Sequence, residues 1–378
     1  MIRHEPLYKG KFIDRPNRFV VHADLDGETI TCHMPNPGRL WELLFPGVVL
    51  WIRRAANHGR KTLYDIVGVE RDNTPVLMDT QYNNDVAEAL IREKRIPGWE
   101  DWQILRREVT IEGSRFDLLL HKDEELFFIE VKSCTLFSKT GAMFPDAVTE
   151  RGRKHILHLV SLQKKGYRTG ILFLVQWSRA TWFLPDYHTD PDFADTFAAC
   201  QDKLDWKAFS VGWNDRFSLP EPGRQLIYPG YVLERENHDS GSYMVVLQVP
   251  EEKNAYIGAL GTITFVPGYY VYVGSAKRNL AARLERHRRV RKKMHWHLDY
   301  LRPITIVTAT IPIRTADDLE HRLSHRLEDI AERHIDHFGC TDCSCPSHLF
   351  YFTADPVHCK AFIEMLEDFR MNRLEQFI

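Results

Sequence analysis

Two stretches near the middle of the chain decide its fold: RFDLLL at residues 115–120 and FFIEVKS at residues 127–133. Both have the length and apolar content of buried β-strands. Side chains two residues apart lie on the same face of a strand, so Glu130 and Lys132 share a face. If the two strands form a hairpin, Asp117 reaches that face as well. The sequence therefore predicts two carboxylates and one ammonium group gathered at one point of an α/β domain.

This group of side chains indicates metal chemistry. Mg²⁺ and Mn²⁺ prefer oxygen ligands, and two carboxylates leave coordination positions for a phosphate and a water. A lysine beside them would orient or activate that water and offset the charge of the transition state. Glu88, on a predicted helix before the strands, is a candidate third acid, with Asp85 and Glu93 as competing choices. The alternative is a surface strand whose polar face merely contains Glu and Lys.

The length of 378 residues favours two or three domains. Residues 1–80 contain short strand patterns and an Asp26-Gly27 hairpin signal, which predict a five-stranded barrel of the oligonucleotide-binding (OB) type. Residues 81–215 mix strands with helices, and residues 216–234 are rich in Pro and Gly, which suits a linker. Residues 235–378 alternate strands and helices again. We therefore expect a multidomain chain of the β and α/β classes.

Composition excludes some classes of protein and favours others. The apolar runs are too short for a membrane helix, and the charged N-terminus does not fit a secretory signal, so a cytoplasmic location is expected. The seven cysteines fit reduced thiols better than a disulfide framework. The net charge of −2 gives no information on partners. From Lys277 to Lys293, however, nine basic residues and one acid give 9 − 1 = +8, which predicts a phosphate-binding strip or, alternatively, a solvated helix surface.

Four strings in the first half resemble the sugar fermentation stimulation protein A family: GSRFDLL (113–119), IEVKS (129–133), FPDAVTERG (144–152) and the barrel loop MPNPGR (34–39). The family usually has Thr or a similar residue where this chain has Pro37. The resemblance covers roughly residues 1–215. It implies an OB-type barrel followed by a PD-(D/E)XK nuclease-type domain, in a family associated with DNA binding and with regulation of sugar metabolism.

Transferred residue by residue, the resemblance makes Asp117, Glu130 and Lys132 the metal and catalytic positions, with Glu88 as a fourth. Asp146, Thr149, Arg151 and His155 lie in the stretch that opens the long predicted helix 150–165, where a basic helix start can take a phosphate. For Asp146 and Thr149 the alternative is helix capping. The candidate contacts to nucleic acid are Arg39, Arg151, Arg153, Lys154, His155, Arg286, His287, Arg288, Arg289, Lys292 and Lys293.

In the second half, GSY (241–243) and YVG (272–274), followed by Arg283 and His287, look like the GIY-YIG nuclease core. The resemblance covers about residues 235–370. It implies a catalytic Tyr243, Tyr272 and Arg283, and a metal-binding Glu320. The gap between the two tyrosines is longer than in typical members, and their late asparagine has no clear counterpart. We therefore expect chemistry mainly in the first half and nucleic-acid binding in the second.

Cys340, Cys343, Cys345 and His348 form a possible soft-metal cluster. Zinc sites usually show two separated ligand pairs, so a loop with free thiols is the preferred interpretation.

The sequence as a whole predicts a Mg²⁺- or Mn²⁺-dependent nuclease that acts on nucleic acid, with DNA favoured over RNA. The alternative is a non-catalytic DNA-binding regulator of sugar-metabolism genes, in which the same residues hold metal or phosphate without turnover.

Overall fold

The computed structural model describes residues 6–55, 60, 62–218, 223–341 and 343–378. The chain divides into two compact units, unit 1 (Met1–Gly230) and unit 2 (Tyr231–Ile378). Within the described ranges, no helix has the length and apolar character needed to cross a bilayer.

Unit 1 begins with a barrel built from six strands: β1 (Leu7–Asn17), β2 (Val20–Leu25), β3 (Glu28–His33), β4 (Val49–Arg54), β5 (Tyr64–Arg71) and β6 (Thr74–Leu77). The sheet order is β3-β2-β1-β4-β5-β6, and a parallel pairing of β3 with β5 closes the first five strands into a ring. The predicted OB-like barrel is therefore confirmed. Asp26 and Gly27 both have positive φ angles, 55° and 89°, as the hairpin signal requires.

The α/β part of unit 1 contains three helices and eight strands. In chain order they are α1 (Asn83–Arg92), β7 (Gln103–Ile111), β8 (Ser114–Lys122), β9 (Glu125–Cys134), β10 (Leu136–Phe137), β11 (Gly141–Phe144), α2 (Glu150–Gln163), β12 (Arg168–Val175), β13 (Trp182–Pro185), α3 (Pro191–Cys200) and β14 (Asp205–Ser210). The main sheet has the order β14-β12-β9-β8-β7. Strands β8 and β9 form the predicted antiparallel hairpin, whereas β9, β12 and β14 run parallel.

The barrel and the α/β part share hydrophobic cores. One core joins barrel residues such as Val21 and Leu50 to Phe116, Phe173 and Ile156 around α2. The other lies on the opposite face of the main sheet and includes Trp51 of the barrel. Because buried apolar area dominates folding, the two parts form one cooperative body.

The stretch predicted as a linker is structured where it is described. The backbone N–H of Leu226 donates to Ala208 of β14, and the carbonyl of Ile227 accepts from Phe183 of β13. A first helix of unit 2, α4 (Gly230–Glu236), follows directly. Residues 219–222 lie outside the described part of the chain, and residues 223–229 form irregular backbone attached to sheet edges.

Unit 2 is built on one antiparallel sheet with the order β19-β15-β18-β21-β20. After α4 its elements are β15 (Gly241–Val249), β16 (Lys253–Tyr256), β17 (Thr262–Phe265), β18 (Gly268–Ala276), α5 (Leu280–Arg288), α6 (His297–Leu301), β19 (Ile306–Arg314), α7 (Glu320–Ile330), β20 (Arg333–His334), β21 (Leu349–Phe352) and α8 (Lys360–Arg370). The strand pair β16–β17 forms a separate hairpin between β15 and β18 and accounts for much of the long tyrosine gap.

Gly170 tests the packing of the main sheet, because a Cβ atom there would overlap with the backbone carbonyl oxygen of Asp205 on β14. We expect Gly170→Ala to lower the free energy of unfolding of unit 1 by about 1–3 kcal/mol, since an overpacked site has to shift backbone. Urea unfolding followed by tryptophan fluorescence reports this, because eight of the nine tryptophans lie in unit 1. Leu157→Ala on the exposed side of α2 is the control, and equal stability of both variants would contradict the packing argument.

Candidate functional site

The first candidate site lies where strands β8 and β9 separate. Their ladder runs from Lys122 opposite Glu125 to Leu118 opposite Ile129. One residue beyond this last pair, the Asp117 carboxylate accepts the backbone N–H of Val131 at 2.8 Å. A side chain therefore replaces the strand pairing at this point, and the fork exposes the face that carries the acids.

Glu130 is the centre of this site. It is only 4% exposed, and one carboxylate oxygen, Oε1, contacts both the Lys132 ammonium and His155 Nδ1, the latter at 2.6 Å. The other oxygen, Oε2, is buried and has no hydrogen-bond partner among the described residues. Glu130 and Lys132 thus share one face, as the strand period predicts, and one buried carboxylate oxygen is left for a ligand.

The electrostatics of the two acids differ. Burial raises the pKa of Asp117, and the neighbouring charge of Glu130 raises it further. Burial also acts to raise the pKa of Glu130, but the hydrogen bond from His155 and the charge of Lys132 outweigh it and hold that pKa below its ordinary value. Two close carboxylates in which one is kept ionised are the arrangement that a bound cation would stabilise.

Helix α1 supplies a different side chain to the site than the sequence predicted. Asn84 Nδ2 donates to Asp117 Oδ1 at 3.3 Å. Glu88, the predicted third acid, pairs with Arg92 and Arg107, and the competing Asp85 also pairs with Arg107. Glu88 therefore forms ion pairs with arginines of α1 and β7, and Asn84 is the α1 side chain that contacts Asp117.

A cleft of about 510 Å³ lies beside the site, between the barrel loop and the start of α2. Lys132 and Ser133 line it from β9, Gly38 from the loop and Arg151 from the helix. Arg151 is exposed and its Nε lies 3.4 Å from Nε2 of His155. The predicted basic helix start therefore lies next to His155, the partner of Glu130, and lines the same cleft as Lys132.

The other residues predicted to contact nucleic acid in unit 1 have mixed placements. Lys154 is exposed, whereas Arg153 pairs with Asp192. Arg39 donates to the backbone carbonyl of Asp146 and to Thr189, so it joins the barrel loop to the α/β part. His155 is 8% exposed and holds Glu130 instead of facing solvent.

The segment that opens α2 confirms the capping alternative for Thr149. Its side chain accepts the backbone N–H of Gly152 at 3.0 Å, which satisfies one of the free donors of the first turn. Asp146 is half-buried against the barrel loop, where a Cβ on Gly38 would overlap with its carboxylate. The absence of a side chain at Gly38 therefore allows the close approach of the two loops.

A second candidate site lies in unit 2. Tyr243 on β15, Tyr272 on β18, Arg283 on α5 and Glu320 at the start of α7 line one cavity of about 470 Å³. The guanidinium of Arg283 stacks on the Trp296 ring at 4.4 Å. The four side chains predicted from the tyrosine and glycine motifs are thus brought together.

His287 completes this second site in a role that the sequence did not predict. It is 1% exposed, so it does not offer a surface contact to nucleic acid, and its Nε2 lies 2.8 Å from the Tyr243 hydroxyl. Burial lowers the pKa of His287 to about 3, and burial raises the pKa of Tyr243 well above its ordinary value. At neutral pH the pair is therefore a protonated phenol hydrogen-bonded to a neutral imidazole.

The basic segment of unit 2 is partly internal. Arg286 and Lys292 both pair with the fully buried Asp299, at 2.9 Å and 2.8 Å. Arg288, Arg289 and Lys293 are exposed. Part of the +8 charge thus neutralises a buried acid, Arg283 lines the second cavity, and several other cations face solvent.

The contact between His155 and Glu130 has a pH-dependent consequence. A carboxyl group whose pKa is lowered on folding stabilises the protein above its unfolded pKa, and this contribution is lost as the pH falls through the folded pKa. We expect His155→Ala to destabilise unit 1 by about 1–3 kcal/mol at neutral pH, because Glu130 loses a buried partner, and by less in acid. Urea unfolding at several pH values measures this.

The matched control is His155→Ala in a Glu130→Gln background, where a neutral amide replaces the titrating acid. The pH dependence of the destabilisation should disappear there. A destabilisation that is independent of pH in both backgrounds would show that His155 acts by packing alone.

Family models match most of this chain. Residues 13–78 match an SfsA N-terminal OB domain, residues 81–214 the sugar fermentation stimulation protein RE domain, and residues 242–371 a domain of unknown function, DUF123. The structure of Pyrococcus furiosus SfsA in complex with Ca²⁺ is 28% identical, with a TM-score of 0.54, and covers 59% of this chain and 96% of its own.

Curated relatives match the first half of the chain. A sugar fermentation stimulation protein homolog from Methanothermobacter thermautotrophicus is 40% identical over 194 residues, which is 51% of this chain and 80% of the relative. One from Clostridium kluyveri is 38% identical over 196 residues, covering 52% of this chain and 85% of the relative. With a barrel, an α/β part and this extent of identity in common, the chain belongs to the sugar fermentation stimulation protein family.

Proposed function

We propose that unit 1 hydrolyses phosphodiester bonds of nucleic acid with a divalent metal ion held by Asp117 and Glu130. The observation that supports this most is the fork at β8 and β9, which gathers two carboxylates and a lysine on one face beside an open cleft. The arrangement is that expected for a PD-(D/E)XK nuclease-type site.

The acids suit a hard cation. Oε2 of Glu130 is buried without a partner in the described part of the chain, and burial together with the Glu130 charge raises the pKa of Asp117, an effect that a bound cation would offset. Ca²⁺ and Mg²⁺ both prefer carboxylate oxygens, and the related Pyrococcus furiosus protein was solved with Ca²⁺. A bound Mg²⁺ or Mn²⁺ would polarise the phosphate and acidify a water ligand.

The chain's own groups supply the remaining steps. His155 fixes the rotamer of Glu130 and keeps it ionised. The Lys132 ammonium stands beside the same oxygen, where it can orient the attacking water and offset charge that builds up on the phosphate. Arg151, exposed at the edge of the cleft, can hold a neighbouring phosphate of the polymer.

A polyanionic partner is supported by the placement of the exposed cations. Arg151 and Lys154 are exposed at the start of α2, and Arg288, Arg289 and Lys293 are exposed in unit 2. These side chains point to nucleic acid as the partner, and we favour DNA over RNA because the first-half resemblance is to a family associated with DNA binding.

A second candidate for the same chemistry lies in unit 2, because Tyr243, Arg283 and Glu320 share one cavity. There Tyr243, hydrogen-bonded to the neutral His287, would orient the attacking water, Arg283 would bind the phosphate, and Glu320 would hold a metal ion. This is the division of roles in GIY-YIG nucleases, and it makes unit 2 an alternative location for cleavage.

Cleavage assays on the full chain separate the two sites. Glu130→Gln removes a metal-binding charge and Lys132→Ala removes the ammonium, so each should lower the rate on labelled DNA at least 10²-fold, about 2.7 kcal/mol, in Mg²⁺ or Mn²⁺. Glu125→Gln and Lys122→Ala are the controls, since both side chains are outside the fork. EDTA should abolish the activity.

The same assay has two informative contrary outcomes. Cleavage that survives Glu130→Gln but is lost in Arg283→Ala or Glu320→Gln would assign the reaction to unit 2. DNA binding without cleavage under any metal condition would favour the non-catalytic regulator.

Binding should depend steeply on salt. Each phosphate neutralised on duplex DNA contributes about −0.9 to the slope of log K against log salt concentration. We expect a combined Arg288→Ala and Arg289→Ala variant to weaken binding and to make the slope shallower by about one to two, as measured by fluorescence anisotropy. An unchanged slope would exclude these two side chains from the interface.

A further inference from the structure

Unit 2 brings together four side chains that neither candidate active site uses. They are His321 on the first turn of α7 and Cys343, Cys345 and His348 on the loop before β21. One ligand atom from each lies within 4.8 Å of the others. We propose that these residues bind one zinc ion as a structural Cys₂His₂ site, separate from the proposed nuclease metals.

The spacing of the donor atoms is close to that of an occupied site. His321 Nδ1 lies 3.3 Å from Cys345 Sγ, and His348 Nε2 lies 3.5 Å from Cys343 Sγ. Ligand atoms about 2.0–2.3 Å from a tetrahedral zinc are separated from one another by about 3.3–3.8 Å. These two His–Cys distances therefore already match the ligand-to-ligand distance of a tetrahedral zinc site. The other ligand atoms lie within 4.8 Å of one another, so a small inward movement would bring them to the same spacing.

His348 has a carboxylate beside its second ring nitrogen, as histidine ligands of zinc commonly do. While Nε2 of His348 faces the cysteines, its Nδ1 lies 3.1 Å from Glu320 Oε1. A carboxylate on the far nitrogen fixes the ring and increases the basicity of the ligating nitrogen. His348 and Cys345 are buried, so the site has a closed inner side, whereas His321 closes it from the exposed surface of α7.

The donor types select the metal. Two thiolates and two imidazoles suit zinc, whereas Mg²⁺ and Ca²⁺ require oxygen ligands. His321, on a separate element, supplies the fourth ligand that the cysteine loop alone lacks. Cys340, the fourth residue of the sequence-based cluster, instead directs its thiol to the Pro346 carbonyl at 3.7 Å.

Such an ion would tie the loop before β21 to the N-terminus of α7. Glu320 lies in that first turn and contacts Ser275 and His348. The zinc would therefore hold in place the acid that lines the second cavity, without entering that cavity. This consequence does not depend on which unit cleaves nucleic acid.

Metal content tests the proposal directly. The full chain, purified without chelator, should contain one zinc per molecule by inductively coupled plasma mass spectrometry. Cys343→Ser/Cys345→Ser should reduce this to background, and Cys359→Ser, which alters a thiol at the start of α8, should leave it unchanged. Zinc retained by the double variant, or a folded zinc-free chain that takes up none from micromolar zinc, would overturn the site.

A milder variant covers the case in which the double variant does not fold. His321→Ala changes one exposed ligand and should lower zinc affinity at least tenfold in competition with a chromogenic chelator, with the circular dichroism spectrum retained. Co²⁺ substitution adds a spectroscopic readout, because thiolate-to-cobalt charge-transfer absorption should appear in the parent chain and weaken in Cys343→Ser. Unchanged affinity in His321→Ala, or Co²⁺ bound without this absorption, would reject the assignment.

Discussion

The replacement of a strand pairing by a side chain is the constraint on which unit 1 depends. At the point where β8 and β9 separate, the Asp117 carboxylate accepts the Val131 N–H that the ladder no longer pairs. This allows a buried strand to end its pairing without an unsatisfied donor. It also holds the Asp117 carboxylate close to Glu130, at the point where the two strands separate.

Glu130 shows how the fold holds a charge inside a protein. A buried carboxylate is costly unless it is paired, and here His155 and Lys132 share one oxygen while the other remains without a partner in the described residues. The barrel lies close to this site, since its loop at Gly38 packs against Asp146 in the segment that leads into α2, the helix that carries His155. Helix α2 thus connects the packing between the barrel and the α/β part with the residues of the candidate site.

In unit 2, burial acts on a hydrogen-bonded pair. Tyr243 and His287 are both buried, which keeps the phenol protonated and the imidazole neutral at physiological pH. Nearby, the buried Asp299 is matched by Arg286 and Lys292, so a basic sequence segment also serves as internal support. Charge counts along a sequence do not distinguish a cation that binds a partner from one that neutralises a buried acid.

The sequence alone determined the local features: the hairpin of Asp26 and Gly27, the OB-like barrel, and the common face of Glu130 and Lys132, because turn chemistry and strand period act over a few residues. Only the tertiary structure decided which partners arrive from distant elements. It paired His155 with Glu130, put Asn84 rather than Glu88 against Asp117, and brought His321 to the cysteine loop. Such contacts depend on how helices pack across a sheet, and no periodicity in the chain records that packing.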